Sequence, residues 1–175
     1  MKHFFLLLLT LSLSGCSKDV DQPINPVDQL PPETQSGANT FGALLDGEPF
    51  IPSGGVNPLD CVYQFVNGNY FFALQGNKRN ENNSLILLGL GTNSLEINEN
   101  ITYELRVNAP DNAFATYALG GNFFETNSNQ TGQMTITHLD LENQTVSGTF
   151  WFDVIDQNGD LKQIREGRFD MQFTQ

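Results

Sequence analysis

The chain is written in short apolar runs of period two, broken at regular intervals by clusters of glycine and asparagine. "ITYELRV" places Ile101, Tyr103, Leu105 and Val107 on one side, with Thr102, Glu104 and Arg106 on the other. Successive side chains of a strand point to opposite faces, so this alternation belongs to a half-buried β-strand. "GTFWFDVI" and "GRFDMQF" obey the same rule, the second directing Phe169, Met171 and Phe173 inward. "SLILLGL" is apolar almost throughout, as expected of a central strand covered on both faces. Asn67-Gly68-Asn69 and Asn158-Gly159 each separate two such runs and predict hairpins, because Asn and Gly tolerate positive φ. No long window carries a 3.6-residue period. The pattern predicts an all-β domain of about nine to ten strands over residues 40–175, a single antiparallel β-sandwich with a β-barrel as the alternative.

The amino end has a different logic. Met1-Lys2-His3 precedes an apolar run from Phe4 to Leu13. That run covers roughly half of a ~30 Å hydrocarbon core, too short to span it. A basic start and a short apolar segment are the layout of a secretion signal. Leu13-Ser14-Gly15-Cys16 resembles the lipobox of bacterial lipoproteins. The resemblance implies cleavage after residue 15, diacylglycerol on the Cys16 sulfur and acylation of the new amino terminus. Two or more chains anchor stably where one is marginal. Residues 16–39 hold four prolines and little apolar signal, and predict a flexible tether reaching about 70 Å when stretched.

Loss of residues 1–15 leaves 7 basic against 20 acidic residues, a net charge of −13. Such a chain is repelled by nucleic acid, which excludes that class of partner. With Cys16 lipidated, Cys61 is the one remaining thiol, so no intramolecular disulfide forms. In "DCVYQFV" it reads as a small core hydrophobe. One histidine, His138, survives processing. It sits in "QMTITHLDL" with the parity of Met134 and Ile136, a core-edge position, and a single His supports neither a triad nor a multi-His metal site. "DQNGD" (156–160) departs from a calcium loop: Gly159 stands at its fourth position and Gly167 where a Glu would close it. No glycine-rich phosphate loop is present. The sequence therefore implies no cofactor, no metal and no catalytic residue.

The C-terminal third carries "VSGTFWF" and "REGRFD". It is similar to a family of small Bacteroidota lipoproteins that share a domain of unknown function, and "FGALLDGEPF" resembles that family's opening hairpin. The resemblance implies an envelope-bound β domain and transfers no activity. The residues themselves read structurally. Gly148 permits close approach of a neighbouring backbone, Phe150 and Phe152 fill the core, and Gly167 permits a bend before the last strand. Arg168 and Asp170 face away from Phe169, placed to pair across strands.

One aromatic departs from the core pattern. Trp151 shares parity with Thr149 and Asp153, an outer face, and a Trp beside an Asp is suited to stacking on a sugar ring. Trp151 and Asp153 are thus the candidate ligand contacts. The expected function is a non-catalytic binding module, held at the outer membrane by its lipid, that recognises a glycan or another envelope protein. Ser17 after Cys16 argues against inner-membrane retention, while Lys18-Asp19 faintly resembles the acidic surface-export signals of such lipoproteins, which leaves the membrane face open. A carboxylate-dependent hydrolase on the same fold and a purely structural envelope component are the competing readings.

Overall fold

A computed structural model describes residues 24–54 and 57–175 of the 175. The expected secretion signal, the expected acylation site Cys16 and the first part of the expected tether lie outside the described residues. The strands run β1 Thr40–Leu45, β2 Glu48–Phe50, β3 Leu59–Val66, β4 Asn69–Arg79, β5 Leu85–Asn93 and β6 Ile101–Leu105. They continue with β7 Asn112–Leu119, β8 Asn122–Glu125, β9 Gly132–Asp140, β10 Thr145–Ile155 and β11 Leu161–Gln172. Among the described residues ten of the 11 strands form one hydrogen-bonded path, β2-β1-β11-β10-β9-β6-β7-β5-β4-β3, and the eleventh, β8, pairs with β7. Every pairing is antiparallel except the short parallel contact of β6 with β7 at Leu105 and Ala113.

The path folds back on itself. Phe72 of β4 lies 6.3 Å from Phe169 of β11, and Tyr63 of β3 lies 5.7 Å from Phe173, although these strands are far apart in the sheet. Two layers result, β2-β1-β11-β10-β9-β6 and β7-β5-β4-β3. They share one core, in which Phe41, Phe50, Phe72 and Phe152 are fully buried. Each contributes on the order of 1.5–3 kcal/mol by leaving water. At the open seam a single bridge, Val62 to Thr174, fastens β3 to the end of the chain, so the sheet is a folded sandwich and not a closed barrel.

Local chemistry accounts for the turns. Asn67 and Gly68 take φ of 52° and 88° between paired Val66 and Asn69, the two-residue hairpin the sequence predicts. In "DQNGD" the Asp156 carboxylate accepts from the backbone of Asn158 and Asp160, a turn that joins β10 to β11. Phe169, Met171 and Phe173 are buried as expected. Gly148 also behaves as read: a Cβ there would meet the Thr135 carbonyl oxygen at 2.3 Å.

Four expectations are corrected. Of the "ITYELRV" face, Leu105 alone is fully buried, while Ile101 and Val107 are 46% and 52% exposed. The cause is that β6 ends at Leu105 and pairs with β7 at one position only, which leaves its two ends uncovered. Gly167 lies inside β11, next to a register shift against β10, and not ahead of the last strand. Asp170 does reach across to β10, where Ser147 donates to it, but Arg168 makes no cross-strand pair and turns within its own strand to Glu166 at 3.7 Å. The fourth concerns residues 24–39. From Leu30, which is 7% exposed, this segment lies across the outer face of β1, β11 and β10 and belongs to the domain.

Candidate functional site

A ligand-sized hollow lies on the other layer. In "LLGLG", Leu88 and Leu90 point into the core, so Gly89 and Gly91 point outward beside Leu87, and between them β5 presents a floor without side chains. Ala73 on β4 extends that floor. Opposite Gly91 stands Phe114, whose ring lies over the glycine so closely that a Cβ would meet its Cζ at 2.6 Å. The groove encloses about 450 Å³, within the ordinary range of a ligand pocket.

Register sets its polar groups in line. Asp60 pairs with Gln75, Gln75 with Gly89, Gly89 with Thr116, and Thr116 with Glu125. A row of donors and acceptors therefore crosses five strands, interrupted only by the glycine. Adjacent strands are about 4.8 Å apart, which puts Asp60 and Glu125 roughly 19 Å apart along the row. At one end Asn93 donates to Asn108 at 3.1 Å, and Asn108 reaches Glu125 at 3.5 Å. Phe123 stands on the rim, 65% exposed. Among the described residues no lysine or arginine lines the groove.

The two candidate ligand contacts are on the opposite outer face. The structure brings Trp151 and Asp153 together through a residue that sequence reasoning did not single out, Arg165. Its guanidinium lies 5.3 Å from the indole centroid, and one of its nitrogens lies 2.7 Å from Asp153 Oδ1, out of line for a hydrogen bond. Trp151 Nε1 donates to Gln133 at 3.3 Å. One face of the ring and its only polar atom thus have partners within the protein. Trp151 does border a second, more polar cleft of about 400 Å³ with Thr135, Thr149, Glu33 and Glu166.

The remaining chemistry-bearing residues have structural surroundings. Cys61 is buried on β3, and burial pushes its thiol upward, away from the reactive thiolate. His138 is half-buried, 3.8 Å from Glu99. Burial pushes Tyr63 up to about 12. Asp140 and Asp170 are the carboxylates displaced from their ordinary range, both downward. Asp140 is lowered chiefly by bonds from Asn143. At Asp170 burial opposes ionisation, yet donors from Thr34, Ser36, Ser147 and Gly37 outweigh it and hold the group well below the usual carboxylate range. Among the described residues, no three His, Cys, Asp or Glu side chains are placed to hold a metal ion.

Fold and groove together define a β-sandwich domain with an open, ligand-sized trough on one layer. The family model for a domain of unknown function, DUF6252, matches residues 62–171, and the chain belongs to that family. The match opens within β3 and closes within β11, so the groove lies inside it save for Asp60, and β1, β2 and the segment before them lie outside. No curated protein and no solved structure matches the chain.

Proposed function

We propose that this protein is a Bacteroidota-type outer-membrane lipoprotein, acylated at Cys16, whose domain binds a linear glycan in the groove across β4, β5 and β7. The observation that carries the reading is the row from Asp60 to Glu125: hydrogen-bonding side chains at strand spacing over a bare glycine floor, with Phe114 and Phe123 beside it. Sugar rings offer hydroxyls at their edges and C–H groups on their faces. The first suit Gln75, Thr116 and Asn108, and the second suit the phenyl rings. Two carboxylates and no cation favour a chain without acidic groups. The length of the row matches a few sugar units.

The hydrolytic reading is disfavoured at this groove. A carboxylate pair that cleaves a glycosidic bond stands about 5–10 Å apart, far closer than Asp60 and Glu125. A protein partner has its own observation, the exposed Phe65, Val66 and Leu141 at one end of the sandwich. A glycan array probed with the purified protein separates the two. Neutral oligosaccharides should bind, and Gln75→Ala should weaken that binding. An array without hits, with envelope proteins captured instead, would reject the glycan.

A further inference from the structure

The segment ahead of β1 is fastened by one carboxylate. Asp170 on β11 is 1% exposed, and its two oxygens accept from a single short stretch. Thr34 Oγ1 donates at 2.6 Å, Gly37 N at 2.7 Å, Ser36 N at 3.0 Å and Ala38 N at 3.2 Å. Ser147 Oγ on β10 adds a bond at 2.8 Å from below. A buried carboxylate collects several charge-assisted bonds only where the donors are held in place. Gly37 makes the approach possible: its φ is 69°, and a Cβ would lie 2.7 Å from Thr145 Cγ2. Further along, Gln35 reaches the Thr137 carbonyl at 3.0 Å, and Pro31 packs on Gly42.

We infer that residues 30–38 are a strap that locks the anchor-side end of the chain across the back layer, so that the domain works close to the bilayer. This rests on acylation at Cys16. Fourteen peptide steps separate Cys16 from Leu30, where the strap begins. Fully extended they reach about 50 Å, against the ~70 Å of an undocked tether. The strap lies on the β1-β11-β10 layer, and the groove opens from the β4-β5-β7 layer. The anchored face and the open face are therefore different faces of the sandwich.

The full lipidated chain on vesicles tests this in three readouts. Flotation with the vesicles, lost in Cys16→Ser, reports the anchor. A chain that does not float rejects the lipoprotein reading and with it the short reach. Hydrogen exchange reports the strap independently: the amides of Ser36, Gly37 and Ala38 should exchange at least ~100-fold more slowly than free chain. Thr34→Ala/Ser36→Ala, which keeps Asp170 in place, should speed them by at least ~10-fold, as should Asp170→Asn. Unprotected strap amides in the unaltered protein overturn the strap. Energy transfer from a dye on Asn158→Cys to head-group acceptors reports the reach, since Cys61 is buried. Strap-release variants should lower transfer at least about twofold, because residues 30–38 then lengthen the leash. Equal transfer in released and docked forms overturns the short reach.

Discussion

The two outer faces of this sandwich have opposite fates. On the back layer a polar group that could not stand alone, Asp170, is covered by the chain's own strap and given a full set of donors. On the front layer the polar row from Asp60 to Glu125 has no segment over it among the described residues, and its centre is hollowed by glycine. The same strand architecture serves both. A face that is closed with its own backbone contributes stability, whereas one left open with unsatisfied side chains keeps them available to a ligand. On the proposed function stability and recognition are separated by layer, and substitutions on the two faces should fail in different ways.

The largest effect is expected on the closed face. Asp170→Ala strands the strap amides and the Ser147 hydroxyl without their acceptor, and should cost on the order of 3 kcal/mol in a denaturant titration. The pH dependence follows from the same group. The folded carboxyl titrates below its unfolded value near 4, so its contribution is complete above that value and is lost as pH falls through the folded pKa. Thermal melts should stay level from neutral pH to about 5 and decline below about 4, and Asp170→Asn should flatten the decline. Loss that begins near neutrality would point to another group.

Substitutions on the open face should shift from stability to binding. Gly91→Leu forces the Phe114 ring aside and fills the floor, with a cost of about 2 kcal/mol in stability and loss of the ligand site. Phe123→Ala removes an exposed ring, so the melting temperature should hardly move, while affinity for a bound glycan should fall about tenfold, roughly 1.4 kcal/mol. The smallest effect belongs to Trp151→Phe, which should leave glycan affinity unchanged. Because Trp151 is the sole tryptophan, the unaltered protein offers a direct control. Glycan addition should leave its fluorescence as it was, and a saturable quench would move the site to the Trp151 cleft.

Strand parity made much of this legible. Phe169, Met171 and Phe173, the hairpins at Asn67-Gly68 and Asn158-Gly159, and the outward position of Trp151 all follow from a period of two and from turn chemistry. The failures share one cause, that burial depends on what covers a face. Ile101 and Val107 have the right parity, yet β6 is too short and too poorly paired to bury them. The strap reads as tether because Thr, Gln, Ser and Gly carry no apolar signal, and the partner they bind, Asp170, is more than 130 residues away. The groove was readable in part. "LGLG" (88–91) sets leucines on one face and glycines on the other, and taken only as an apolar run it conceals the hollow. What parity cannot supply is the alignment of Asp60, Gln75, Thr116 and Glu125, which exists only once five strands are in register.

The central claim is that the open face is the binding face. Titration of a neutral linear oligosaccharide into the isotope-labelled protein, followed by backbone amide shifts, tests it most directly. Saturable shifts should cluster at Gln75, Gly89, Gly91, Thr116 and Glu125 and leave Ser36, Gly37 and Gln133 unmoved. Shifts centred on Gln133, Trp151 and Glu166, or no saturable shifts with any neutral glycan, would contradict the account.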